Sequence, residues 1–347
     1  MSLSNFSTPT RPAFCPPPPV TKRKRTRASD SVSEEFNDPV AKFPKLSFYD
    51  LDDIIDSQSP DYKHIIVQIG NQDINITFAS KDAGHEPVKV LYAHDPRGLD
   101  GIGGTHVQFN GSALFIRRTH FAEQAMDDLY RILKKRPISI HFFHVYVTSP
   151  DCVKTERIFF QRFNRDINSL SAQFMTLKQL KVNQLSVTYN GNQEALVSFL
   201  QHFEPKTLKT LHIDLFEHDE LIQLDQVKEM EQFKQCIEFT TDMMLEPGFL
   251  NKLTDIDSIN VYAKSMQPKE IIKLIKSYIA SPDMKAARIG LRQQYNHPLL
   301  KRSLRAFGLQ QKGSKDEEVF ELKNADSMKT IKVELSKYSV TVQTSSF

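Results

Sequence analysis

Leu208-Lys209-Thr210-Leu211-His212-Ile213-Asp214-Leu215 decides how this chain is read. Four apolar residues stand at the spacing φxxφxφxφ, and the last three alternate. Leu211, Ile213 and Leu215 therefore point to one side of an extended segment, with His212 and Asp214 on the other. The template recurs as Ile140, Phe143, Val145, Val147, then as Val182, Leu185, Val187, Tyr189. It returns as Ile256, Ile259, Val261, Ala263, and again as Met284, Ala287, Ile289, Leu291. The second positions Leu185, Leu211, Ile259 and Ala287 advance by 26, 48 and 28 residues. A step of 48 is close to two periods, which predicts a further unit near residue 237, filled by Ile237, Phe239 and Thr241 at poor spacing.

Helical stretches alternate with these strands. Asn192–Phe203 carries Leu196, Phe199, Leu200 and Phe203 on one face, and Leu224–Cys236 carries Val227, Met230, Glu231 and Phe233. Pro268–Ile279 begins with proline in its first turn and stripes Ile271, Ile272, Ile275 and Ile279. A period near 25 falls in the leucine-rich-repeat range of about 20–29 residues, although Asn190 alone hints at the asparagine of that repeat. The fold expected is α/β, with α+β character at its ends: a leucine-rich-repeat-like strand–helix array stacked in two layers. An ordinary α/β domain whose strands all alternate is the competing reading.

Outward from the array, the chain changes character twice. Upstream, His64–Ile69, Asp73–Ala79 and Val88–Ala93 are apolar runs of strand length broken by turn residues. They predict an antiparallel β region that opens with a hairpin and continues to about residue 116. Gly98, Gly101, Gly103 and Gly104 mark a loop, and Thr119 to Lys135 reads as a helix facing inward through Phe121, Ala125, Leu129, Ile132 and Leu133, stopped by Pro137. Downstream, Val319–Leu322, Met328–Leu335 and Tyr338–Val342 alternate cleanly, an antiparallel meander capping the last unit. The organisation expected is a tail over 1–43, a β-rich region with one helix over 44–137, the repeat over 138–317 and a β cap over 318–347.

The tail holds Arg11, Lys22, Arg23, Lys24, Arg25, Arg27 and Lys42 against Asp30, Glu34, Glu35 and Asp38. That surplus of three equals the formal net charge of +3 for all 347 residues, so the remainder is neutral. With the run Pro16 to Pro19 and no periodic apolar face, the tail is expected to be disordered. Lys22, Arg23, Lys24, Arg25 and Arg27, flanked by proline, fit a receptor-read nuclear import signal; a solvated charge run is the plainer alternative. A neutral body weighs against nucleic acid as a partner, since phosphate contacts dominate such binding. Lys134-Lys135-Arg136, Arg117-Arg118, and Lys301-Arg302 with Arg305 and Phe307 are the clusters an RNA-binding alternative would use. No run of apolar residues approaches the roughly 18 a membrane span needs, and no apolar signal-peptide core opens the chain. Cys15, Cys152 and Cys236 are too far apart for a disulfide framework or a zinc spacing, which suggests a reducing compartment, nucleus or cytoplasm.

Catalytic patterns are missing from the sequence. Gly101-Ile102-Gly103-Gly104 lacks the Lys-Ser/Thr of a phosphate-binding loop, and neither a Gly-x-Ser-x-Gly elbow nor a His-Glu-x-x-His helix occurs. His141 and His144, three apart on a strand, face opposite sides. Asp52-Asp53 and Asp127-Asp128 diverge by about 100° on helices. The reading is of a protein that is not an enzyme and needs no cofactor or metal.

Two stretches carry a family resemblance. Val197-Ser198-Phe199-Leu200-Gln201-His202-Phe203-Glu204-Pro205-Lys206-Thr207-Leu208 resembles the helix-to-strand junction of the nematode FTH domain, a domain of unknown function attached to F-box proteins of the F-box A family. Met230-Glu231-Gln232-Phe233-Lys234 resembles that family's Leu-Glu-Gln-Trp-Lys signature, with Phe233 in place of Trp and Cys236 at a small position; Ser265 to Pro282 resembles the helix that follows. More loosely, the resemblance reaches Phe121–Leu133 and covers roughly residues 62–295. It implies the substrate-recognition half of an F-box protein. The F-box itself, a helical unit of some 45 residues that docks the Skp adaptor of a cullin ubiquitin ligase, would have only Pro44–Ser59 to form from.

The function expected is a non-enzymatic protein-interaction adaptor with a protein partner, ubiquitin-ligase subunits being one candidate. A true ligase receptor with a degenerate F-box is the alternative. If the apolar strand face packs on helices, the alternate residues form an open surface. Tyr146, Ser186, Thr188, His212, Asp214, Asn260, Tyr262 and Arg288 are then the candidate partner-binding residues, tyrosine and arginine tending to carry interface energy.

Overall fold

The computed structural model describes residues 61–82, 84–96, 104–109, 111–135, 138–171, 179–189, 193–215, 224–281, 284–312, 318–324 and 329–346. The tail with its basic cluster, Pro44–Ser59, the glycine loop at 98–103 and Asn190 lie outside the described residues. The described residues fall in one compact unit.

The fold is mixed α/β, with fifteen strands in one continuous sheet and, among the described residues, eight helices. Its first part is β1 (Asp61–Ile69), β2 (Asp73–Ser80), β3 (Val88–Asp95), β4 (Gly104–Phe109), β5 (Ser112–Arg117) and α1 (Phe121–Lys135). The middle runs β6 (Ser139–Val147), α2 (Val153–Ser171), β7 (Lys181–Tyr189), α3 (Gln193–Leu200), β8 (Thr210–Leu215), α4 (Asp225–Lys228), α5 (Glu231–Lys234) and β9 (Glu238–Leu245). It continues α6 (Pro247–Leu250), β10 (Ser258–Ala263), α7 (Pro268–Ala280), β11 (Ala286–Leu291) and α8 (His297–Ala306). The end is β12 (Gln310–Lys312), β13 (Val319–Asn324), β14 (Lys329–Ser336) and β15 (Ser339–Ser346).

The sheet order is β12-β13-β14-β15-β11-β10-β9-β8-β7-β6-β1-β2-β3-β4-β5. From β1 through β6 to β11 every neighbouring pair is parallel, and both flanks are antiparallel. Parallel neighbours need a crossover, and the intervening helices supply it. The antiparallel hairpin β1–β2 and the terminal meander form as expected. β1 is also the first parallel strand, because it pairs with β6 and joins the N-terminal region to the array.

One row of side chains crosses twelve of the fifteen strands in register. It runs Phe320, Val333, Val342, Ala287, Ile259, Phe239, Leu211, Leu185, Phe143, Ile65, Phe78 and Val88. All are buried, and burying a side chain of this size contributes roughly 1.5–3 kcal/mol each. The helices cover this side: Phe143 lies 6.4 Å from the ring of Phe199 on α3, and Phe233 on α5 lies 5.0 Å from Phe239.

The unit predicted near residue 237 exists as β9, with a different filling. Phe239 and Thr241 are buried, but Ile237 is 42% exposed. Cys236 takes the first position instead, and its thiol donates to the Gln232 carbonyl at 3.0 Å. The step of 48 residues therefore divides into 28 and 20. The poor spacing has a cause: between Asn260↔Thr240 and Tyr262↔Met244, β9 holds two more residues than β10.

Several elements differ from the expectation. Leu224–Cys236 forms two short helices, α4 and α5, and Glu231 is exposed while Gln232 is buried. The buried stripe of α7 is Ile271, Leu274, Ile275 and Tyr278; Ile272 and Ile279 sit half-buried beside it. α2, with Phe159, Phe160 and Phe163 in the core, has no counterpart in the sequence reading, nor do β4 and β5 as separate strands. Gly104, assigned to a loop, opens β4.

Candidate functional site

Opposite the helices, the sheet presents the residues between the buried positions. Those between the second and third template positions form a second row in register: His144, Ser186, His212, Thr240, Asn260, Arg288 and Thr341. Beside it run Tyr146 on β6, Thr188 paired with Asp214 across β7 and β8, and Tyr262 paired with Gly290 across β10 and β11. All eight residues chosen from the sequence lie on these two rows. Tyr262 and Arg288 are exposed, and Tyr146, Thr188, His212, Asp214 and Asn260 are half-buried. Ser186 is the exception, only 7% exposed between His144 and His212 in its own row, so its hydroxyl is no open contact point.

Local contacts fix several of these groups. His212 Nδ1 lies 2.7 Å from Thr240 Oγ1, and the Asp214 carboxylate accepts the Leu215 N–H at 2.9 Å. The Tyr146 ring centroid is 4.7 Å from that of His144. Burial, with the charge of His212 adding to it, pushes the His144 imidazole down to about 4, so it is neutral at physiological pH. Tyr262 lies across Gly290, where a Cβ would run into its ring.

Thr240 and Asp242 escaped the sequence reading, and His144 was weighed there only against His141. The template would have given Thr240 and Asp242 had Cys236 been taken as the start of the β9 unit. His212, Asp214 and Asp242 can each present one donor atom so that the three lie within 4.8 Å of one another.

The basic clusters are partly engaged. Lys301 pairs with Glu318 at 2.5 Å, and Lys276 sits 4.8 Å over the ring of Phe307. The side chains of Lys134, Lys135, Arg136 and Arg117 lie outside the described residues. Among the described residues no helix is long and apolar enough to cross a membrane.

The FTH domain family model matches residues 164–308, which bears out the resemblance read from the two motifs. No match was found among curated proteins or among solved structures. The motifs prove to be joined: the Gln232 side chain donates to the Phe203 carbonyl at 3.0 Å, linking the Met230–Lys234 signature to the Phe203-Glu204-Pro205 junction. Both are buried there, so this part of the signature concerns how one unit packs on the next.

Proposed function

We propose that this chain is a non-enzymatic protein-interaction adaptor whose recognition surface is the open face of its sheet. In this reading the parallel block and its helices are a leucine-rich-repeat-like array, equivalent to the substrate-recognition part of F-box A proteins. The observation that carries it is the pair of registered rows from Tyr146 to Arg288. Tyrosine, imidazole, hydroxyl, amide and guanidinium groups are held there on adjacent strands, half-buried or exposed except for Ser186. Recurrent ties at one period support the array: Thr210 to Glu238, Tyr278 to Leu250, and Ser281 to Thr254 link positions 28, 28 and 27 residues apart.

The adaptor works in the nucleus or cytoplasm, with Lys22 to Arg27 as its import signal. The test is affinity purification of the full chain beside the double variant Tyr262→Ala/Arg288→Ala. The partner should be lost from the variant while circular dichroism and the melting curve stay unchanged. Retention of the partner would move the binding surface elsewhere. Skp and cullin subunits among the captured proteins would make the chain a receptor of a cullin ligase; a stable partner without them would make it a free adaptor.

A further inference from the structure

We propose that the open face carries a divalent-metal site of the zinc class, formed by His212 and Asp214 on β8 and Asp242 on β9. It does not rest on the adaptor reading, since the site can hold an ion whether or not the face captures a protein.

The donor set is one imidazole and two carboxylates. Their donor atoms already lie within 4.8 Å of one another. An ion bonded at about 2.1 Å to each donor needs separations of no more than roughly 4.2 Å, a difference that small side-chain rotations close. The imidazole is also held as a ligand needs to be. Nδ1 is engaged by Thr240 Oγ1 at 2.7 Å, which fixes the ring and, in the tautomer that donates from Nδ1, leaves the lone pair on Nε2. Metal-ligating histidines use their second nitrogen in this way, with an outer hydrogen bond setting tautomer and orientation.

The backbone explains why the third ligand is there. The ladder between β8 and β9 runs from Thr210↔Glu238 to His212↔Thr240 and stops. The two extra residues of β9 follow at once, and they include the exposed Asp242 beside Asp214 on the same face. Among the described residues no ion pair joins Asp242 to a lysine or arginine. Imidazole with carboxylate selects a borderline ion of the zinc type over copper(I), which prefers sulfur. Three protein ligands leave a fourth position open to solvent, filled by water or by a donor atom from whatever docks on this face.

The test uses the full chain, stripped with chelator, dialysed and titrated with zinc chloride by calorimetry near pH 7.5. Cobalt(II) absorption serves as a spectroscopic check on coordination. One site is expected, weakened at least tenfold by Asp242→Asn and by His212→Asn. Thr240→Val should weaken it by about 10–100-fold without removing a ligand. His141→Asn, off the cluster, should change nothing. Because Asp242 is exposed, its variant should melt like the wild type in chelator, and only the wild type should gain melting temperature with zinc. Absence of zinc uptake by the wild type would overturn the proposal, as would equal affinity in the wild type and Asp242→Asn.

Discussion

On β8 the helix-covered face carries Leu211, Ile213 and Leu215, none more than 4% exposed, while the opposite face carries His212 and Asp214, both half-buried. Across the parallel block the first face repeats itself: its central row reads Phe143, Leu185, Leu211, Phe239, Ile259, Ala287. The second face keeps no common residue class, reading His144, Ser186, His212, Thr240, Asn260, Arg288. Packing against helices tolerates only apolar groups of fitting volume. Water tolerates nearly anything, so the second face is free to carry specificity. The FTH motifs fall on the packing side of this division, through Phe203, Gln232 and Phe233.

The largest effect that can break the comparison is a cavity on one face set against a truncation on the other. Leu211→Ala should cost about 2–5 kcal/mol and Phe239→Ala about 3–5 kcal/mol, as large-to-small changes in packed cores do. His212→Ala, one residue away and half-buried, should stay near about 0.5 kcal/mol. Urea unfolding of the three variants measures this. Equal losses at Leu211 and His212 would mean that the faces are not distinct.

Acid should strike the covered side next. His202 is half-buried against Phe163, ring centroids 5.2 Å apart, with its Nε2 buried and without a hydrogen-bond partner. Burial pushes its imidazole from 6.5 down to about 4. The folded chain therefore binds this proton less readily than the unfolded chain does. The stability tied to the neutral ring is complete above pH 6.5 and is lost as pH falls toward 4. A difference of that size is worth at most about 3 kcal/mol. His202→Gln should flatten this part of the stability–pH curve, and an unchanged acid limb would show the ring to be hydrated.

Much of the packing face was legible in the sequence, because a period of two in apolar residues is a direct record of burial on one side of a strand. The strands from β6 to β11 came from that record, and so did the meander from β13 to β15. What failed had physical causes. α2 places Phe159, Phe160 and Phe163 within little more than one turn, among Lys154, Glu156, Arg157 and Arg162, so no long apolar stripe announces it. The pairing of β1 with β6 joins segments more than seventy residues apart, and no local pattern encodes it. The side of the strands on which the eight chosen residues stand was legible from alternation alone, although Ser186 is buried there. Its chemistry was not, because the meeting of His212 with Thr240 and Asp242 depends on the register of an irregular strand.

That irregular strand offers a sharper test of register. If Cys236 occupies the first template position of β9, Cys236→Ala should cost about 0.5–3 kcal/mol, whereas Ile237→Ala, although it removes the larger side chain, should cost about 0.5 kcal/mol or less. Burial pushes the Cys236 thiol up to about 12, so it should also resist alkylation in the native protein and react once the chain is unfolded. A larger loss at Ile237 than at Cys236 would return the unit to the register first read from the sequence.

The smallest expected effect on stability probes the open face itself. Gly290 pairs with Tyr262 across β10 and β11, and the Tyr262 ring lies flat over the position a Cβ would take. The obstructing atoms are Cδ1, Cε1 and Cγ of the ring, so Gly290→Ala is accommodated only by turning the whole ring outward about its first side-chain torsion. The melting temperature should then change by only a few degrees, since about 1 kcal/mol moves it by roughly 2–4 °C at this size. The recognition surface, by contrast, loses a tyrosine held at a fixed angle beside Arg288. If the open face binds the partner, Gly290→Ala should lower capture nearly as far as Tyr262→Ala does, with the fold intact and no partner-facing side chain deleted. Capture at the wild-type level in a well-folded Gly290→Ala protein would show that the orientation of Tyr262 is immaterial, and the tyrosine would drop out of the surface while Arg288 remained to be tested alone.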